Sequence, residues 1–204
     1  IWMQYATAYG ALIDIARLKA GDTLLIPAAS SSVGIAAIQI ARMIGAMPVA
    51  LTRGSSKRKA LLDAGAAHVI STEEQDVVEE VKKLTGGKGA QVVFDPVGGP
   101  SIAKLTAAMA ERGILFLYGA LSTEQTPLPL MEVLGKSLTI RGYILFEITG
   151  DPQRLERAKK FIVDGLSTGK LKPVIAKTFP LEQIVEAHRY MESNQQIGKI
   201  VVTV

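Results

Sequence analysis

Short apolar runs alternate with longer amphipathic stretches along most of this chain. Runs with the length of a buried strand occur at Thr23 to Ile26, Pro48 to Leu51, His68 to Ile70, Val92 to Phe94, Ile114 to Leu117 and Leu138 to Ile144. Helices are predicted between them at Val33 to Ile44, Lys57 to Ala64, Val77 to Leu84, Ile102 to Ala110 and Leu130 to Gly135, after an opening helix over Ile1 to Arg17. Strand following helix through short glycine-rich connections predicts an α/β fold. The expected architecture is a doubly wound parallel six-stranded sheet with helices on both faces.

The remainder does not extend that rhythm. A helix over Pro152 to Leu166 carries Leu155, Ala158, Phe161, Ile162 and Leu166 on one stripe, with Asp151 as its cap. A second, over Leu181 to Met191, carries Leu181, Ile184, Val185 and His188, and strands at Val174 to Thr178 and Ile200 to Val204 flank it. The chain therefore divides into a domain over 1–171 and a tail over 172–204.

The richest chemistry lies between the first strand and the first sheet helix. An apolar run ends at Pro27, a turn of Ala28, Ala29, Ser30, Ser31 and Ser32 follows, and Val33 with Gly34 opens the helix. A helix start of this kind offers unpaired backbone N–H groups and the positive end of a dipole to an anion. In the dinucleotide fingerprint GxGxxG, Ala29 and Ser31 hold the first two glycine positions and Gly34 the third. The reading is a Rossmann-type pyrophosphate turn; its bland alternative is an ordinary strand-to-helix turn built of small residues.

An NAD site expects an acidic residue at the end of the second strand, about 20 residues past the turn. Here that strand runs instead into Thr52, Arg53, Gly54, Ser55, Ser56, Lys57 and Arg58. A guanidinium and an ammonium beside hydroxyls suit a 2′-phosphate, which favours NADP(H). The alternative is a solvated basic first turn capped by Ser55 or Ser56. The fourth strand ends in FDPVGG and the fifth in FLYGALS, so Val97, Tyr118, Gly119 and Ala120 are placed to line the dinucleotide. Asp95 is equally a cofactor contact or a turn residue.

Composition narrows the classes without adding a site. The chain has 204 residues, 48% hydrophobic, with a net charge of +4. Its basic residues are interspersed with acidic ones, so neither nucleic acid nor a membrane surface is implied as a partner. There is no cysteine and there are two histidines, His68 and His188, far apart in sequence. No zinc site is expected from so few ligands, and His188 reads as a half-buried packing residue. The absence of cysteine and of a leader pattern suggests a soluble cytoplasmic protein.

Five segments in order carry a resemblance: TAYGAL at Thr7 to Leu12, LKAGDTLLIPAASSSVG up to Gly34, AGAAHVI at Ala64 to Ile70, TGGKGAQVVFDPVGG up to Gly99, and GKIVV at Gly198 to Val202. With them the chain resembles the medium-chain dehydrogenase/reductase superfamily, in particular the cofactor domain of zinc-free, NADPH-dependent quinone oxidoreductase-like members. The resemblance implies that Thr7 approaches the nicotinamide, that the backbone of Ser32 and Val33 binds the pyrophosphate, and that Arg53 with Lys57 binds the 2′-phosphate. It further implies that Tyr118 to Ala120 and Ile144 to Phe146 lie along the nicotinamide half, and that the strand Leu138 to Phe146 pairs with its copy in a homodimer. Serines stand where relatives carry paired glycines, and Thr72 stands where some carry a cofactor-contacting tyrosine.

In the family a GroES-like barrel precedes this region and holds most substrate contacts. This chain is read as a piece that lacks it, so the tail from Lys172 is expected to miss its main partners and to pack differently. The implied activity is hydride transfer from NADPH to a small molecule of the quinone or enone class, with no catalytic acid or base assigned. A non-catalytic NADP(H)-binding module and the cofactor domain of a zinc-dependent alcohol dehydrogenase are the alternatives.

Overall fold

Strands β1 (Thr23–Ile26), β2 (Met47–Thr52), β3 (His68–Ser71), β4 (Ala90–Asp95), β5 (Met109–Leu117) and β6 (Thr139–Gly142) build the central sheet in this computed structural model, which describes residues 1–204. Their order is β3-β2-β1-β4-β5-β6, with every pairing parallel. Along β1 the side chains alternate between faces as the period of a strand requires. Leu24 and Ile26 enter one core and Leu25 the other. The larger core packs under α1 (Trp2–Tyr9), α2 (Ser32–Met43) and α8 (Pro152–Ser167). The smaller packs under α4 (Val77–Thr85) and α5 (Ile102–Ala107), while α3 (Arg58–Asp63) sends Leu61 to the larger one. No helix is long and apolar enough to cross a membrane.

β1 is followed by β2 on one side, and β4 returns to its other side. The strand order reverses there, and ligands of open α/β sheets bind beyond the carboxyl ends at such a point. α2 is buried almost all round from Gly34 to Ala41, and the small Ala36, Ala37 and Ala41 let it sit close to the sheet. Its one polar core residue, Gln39, accepts a hydrogen bond from the Tyr5 hydroxyl at 2.7 Å and donates to the Lys172 carbonyl at 2.9 Å. That side chain joins α1, α2 and the start of the tail.

Several boundaries differ from the sequence expectation, each for a packing reason. The opening helix is α-helical only to Tyr9 and continues as a wider π-helical segment, Gly10–Ile15. Gly10 lies so close to the Tyr143 hydroxyl and the Ile148 side chain that a Cβ would stand 2.1 Å and 2.5 Å from them. The helix expected to reach Ala110 ends at Ala107, because Met109 is already paired with Ala90 in the sheet. The surplus length is absorbed in an irregularity where Arg112 takes a left-handed φ of 57°. The last sheet strand stops at Gly142 rather than at Ile144. Tyr143 turns into the core, and Phe146 starts the one-turn helix α7 (Phe146–Thr149), itself 75% exposed.

α6 (Leu130–Lys136) precedes β6 at the sheet edge. In the tail, β7 (Ile175–Pro180) and β8 (Lys199–Thr203) pair in parallel as a separate two-stranded sheet, with α9 (Ile184–Glu192) between them in sequence. The apolar stripe of α9 faces outward: Ala187 is buried, whereas Leu181, Ile184, Val185 and His188 are exposed. The half-buried role expected of His188 is therefore corrected.

Candidate functional site

The turn after β1 leaves backbone donors at the head of α2 without a hydrogen bond. Ala28 adopts a left-handed φ of 48°, and Ser31 is extended at φ −67° and ψ 160°. The Ser31 hydroxyl accepts the Gly34 N–H at 3.0 Å, and its carbonyl accepts the Ile35 N–H at 2.9 Å. Ser31 is thus the N-cap of α2, a role its sequence position did not disclose. Between these bonds the Val33 N–H meets no acceptor of the chain, and the Ser32 N–H faces the Gly198 carbonyl across the Ser31–Gly198 bridge without closing a hydrogen bond. They open the helix at the carboxyl end of β1, the arrangement that binds anions. Gly34 permits it, since a Cβ there would lie 2.6 Å from the Ala29 carbonyl oxygen.

The basic stretch after β2 divides into unlike environments. Its 3₁₀ turn, Ser55–Lys57, is capped by neither serine: the Ser55 N–H donates to the Glu74 carboxylate at 2.9 Å. The capping reading of Ser55 and Ser56 is thereby replaced by a carboxylate from the end of β3. Thr52 closes β2, its carbonyl accepting the Thr72 N–H at 2.8 Å, and the Arg53 carbonyl accepts the Glu73 N–H at 3.1 Å. Lys57 donates to the Ser30 hydroxyl at 3.0 Å and to the carbonyls of Asn194 and Gln196. Burial and then the charge of Arg53 lower its pKa. The Arg58 guanidinium donates to the Val69 carbonyl at 2.8 Å and holds α3 to β3.

At the ends of β4 and β5 the chain is stitched across. The Leu121 and Ser122 N–H groups donate to the Pro96 and Val97 carbonyls, and Gly119 passes so near that a Cβ would lie 2.7 Å from the Pro96 oxygen. Tyr118, Gly119 and Ala120, with Tyr143, Ile144 and Glu147, line a cleft of about 390 Å³. Phe146 is not on its wall. The Tyr118 ring stacks on Phe94 with centroids 3.9 Å apart and planes at 19°. Its hydroxyl is buried without a hydrogen-bond partner. Burial, and secondarily the nearby Asp95, raise that phenol far above its ordinary value, so it stays neutral at physiological pH. Thr7 is buried in α1 and donates its hydroxyl to the Met3 carbonyl at 2.6 Å.

Asp95 is the turn residue of the two readings left open. Its carboxylate, fully buried, accepts the Val97 N–H at 2.8 Å and the Gly98 N–H at 3.1 Å. Burial raises its pKa above the ordinary 3.8, against the lowering effect of those two bonds. The native chain thus holds this proton more tightly than the unfolded chain does. The corresponding stability is fully present below the unfolded pKa and is lost as pH rises through the folded one. Urea unfolding across acid to neutral pH should therefore show a fall for the unmodified chain that is absent in Asp95→Asn; equal slopes in the two proteins would refute this.

The structure thus gathers Ser31, Ser32, Val33 and Gly34 in one turn, sets Thr52 and Arg53 at the neighbouring strand end, and places Tyr118, Gly119 and Ala120 on the cleft. The contacts of Lys57 with Ser30 and the tail had no signal in sequence, since the carbonyls involved lie 137 and 139 positions away. Backbone acceptors leave no mark on residue type.

Comparison with known proteins finds relatives over nearly the whole chain. The sequence profile described as zinc-binding dehydrogenase matches residues 32–164. The 2-haloacrylate reductase of a Burkholderia species is 33% identical over 198 residues, covering 96% of this chain and 60% of the relative. The quinone oxidoreductase of Homo sapiens is 30% identical over 204 residues, covering 99% and 60%. Among solved structures, Escherichia coli quinone oxidoreductase complexed with NADPH superimposes with a TM-score of 0.91 at 28% identity, covering 99% of this chain and 63% of that one. The chain therefore spans about 60% of the length of the curated relatives it matches.

Proposed function

The chain belongs to the zinc-binding dehydrogenase family, within the medium-chain dehydrogenase/reductases, as a nucleotide-binding part; from that premise we propose that it binds NADPH and presents it for hydride transfer to a quinone or other activated alkene or carbonyl. The observation that carries this reading is the pair of N–H groups of Ser32 and Val33 at the head of α2, neither of which closes a hydrogen bond within the chain. They suit the pyrophosphate, and the close packing of Gly34 keeps them aligned. When bound, NADPH supplies the hydride, and the protein supplies position and electrostatics.

The roles of the chain's own residues follow from their places. Arg53, at the end of β2 beside Thr52, presents a guanidinium to the 2′-phosphate. Val97, Tyr118, Gly119 and Ala120 shape the far half of the crevice, and the stack of Tyr118 on Phe94 keeps that wall firm and apolar. Thr7 retains acceptor lone pairs although its proton is held by Met3. The metal in the family's name has no site in these residues. No group of three or more His, Cys, Asp or Glu side chains of this chain could hold one.

Two measurements test the reading. Replacing Arg53 with Ala should weaken NADPH binding by about 1.5–3 kcal/mol, the value of a hydrogen bond to a charged group, while NADH binding hardly changes. Equal losses for both nucleotides in fluorescence titrations would count against Arg53 as the reader of the 2′-phosphate. The protein that contains this chain should oxidise NADPH in the presence of quinones or enones, and tight NADPH binding without such turnover would favour a non-catalytic module.

A further inference from the structure

An ammonium group has three protons to donate. On Lys57 they are directed at the Ser30 hydroxyl, 3.0 Å away, the Gln196 carbonyl, 3.1 Å away, and the Asn194 carbonyl. No donor is left over for a phosphate. One acceptor belongs to the anion-binding turn and two belong to the tail, so the side chain spans the two. The tail is joined to the same turn a second time: the Gly198 N–H donates to the Ser30 carbonyl at 2.9 Å, and Ser31 and Gly198 form a parallel bridge. Gly198 is in turn pressed against Val174, whose carbonyl oxygen would lie 2.4 Å from a Cβ at that position. The Gln196 side-chain oxygen is buried there without a partner.

We propose that Lys57 is a positioning residue that staples residues 194–198 onto the phosphate-binding turn, so that docking of the tail and binding of the nucleotide reinforce each other through Ser30. The proposal rests on the reading of that turn as the pyrophosphate site. It removes Lys57 from the 2′-phosphate and leaves that group to Arg53. The staple fixes Ser30, and Ser30 precedes the capping residue and the two donor positions. A turn held in one conformation binds an anion without first being ordered, and an anion that holds the turn favours the docked tail in return. Reciprocity requires the two effects to be equal in size.

The test is made on the full chain, with NADPH and NADH each titrated and amide exchange followed over the peptide that spans residues 194–203. In the unmodified chain either nucleotide at saturation should slow exchange of that peptide. Lys57→Gln should weaken both nucleotides by the same factor, roughly tenfold on the usual scale of coupling between sites. It should also abolish the nucleotide's effect on the tail. Ser30→Ala, which removes one hydroxyl from the same junction, should do so to a smaller degree and guards against a Lys57 variant that does not fold. A loss confined to NADPH, or a tail whose exchange ignores the nucleotide in the unmodified chain, overturns the staple. Failure of the unmodified chain to bind either nucleotide would instead overturn the reading of the turn.

Discussion

Replacing Phe94 with Ala is expected to lower the free energy of unfolding by about 3–5 kcal/mol, the usual cost of truncating a buried phenylalanine. Phe94 is fully buried in β4, paired beside Phe116 of β5, and belongs to the larger core. The cost has two parts. The lost ring leaves a cavity between the central strands, where neighbours held in two ladders cannot collapse to fill it. The stack with Tyr118 is lost as well, which adds about 0.5–1.5 kcal/mol beyond the buried area. Because Tyr118 lines the cleft, its ring should become mobile, and nucleotide affinity should drop together with stability. Denaturant unfolding gives the first quantity and nucleotide titration the second. A loss below about 1 kcal/mol would mean that the ring is not part of the core as described.

The second large effect is expected at Gly34. A valine there would place its Cβ 2.6 Å from the carbonyl oxygen, 2.7 Å from the Cα and 2.8 Å from the carbonyl carbon of Ala29. All three are backbone atoms, so relief cannot come from a side chain swinging aside. The turn must move, at a cost of about 1–3 kcal/mol in stability. Binding should suffer more, since the N–H groups of Ser32 and Val33 move with it. Each charge-assisted hydrogen bond lost is worth about 1.5–3 kcal/mol, so affinity for NADPH and NADH alike should fall by at least roughly tenfold. Selectivity between the two should stay as it was. A Gly34→Val protein that binds NADPH as well as the original would exclude this turn as the pyrophosphate site.

These effects fall on residues of different legibility. Gly34 stood out in sequence because a single glycine after a run of small residues, at the seam of strand and helix, has few other uses. The six strands were legible for a similar reason. A strand covered on both faces reads as an unbroken apolar run, and β1, with Leu24 and Ile26 in one core and Leu25 in the other, is such a strand. Where the expectation failed, a preference of the local chain met a demand from elsewhere. The stretch before Ala110 is rich in alanine and favours helix, but Met109 is claimed by its pairing with Ala90. His188 sits at helical spacing with Ile184 and Val185, yet the face they share lies toward solvent, because periodicity reveals a stripe and not what covers it. Ser55 and Ser56 had the composition of a cap, and Glu74 took the position from another strand end.

The amino-acid sequence by itself determined the order of strands and helices, the small-residue turn at the head of α2, and the lack of an acid at the end of β2. Those properties depend on side-chain volume, charge and period within a few residues. Only the tertiary structure decided which donors of that turn stay free, that the carboxyl ending the fourth strand is buried, and where the ammonium of Lys57 is spent. The physical reason is shared by all three. Each outcome depends on backbone N–H and C=O groups brought together by folding, and every residue but proline carries that same donor and acceptor pair.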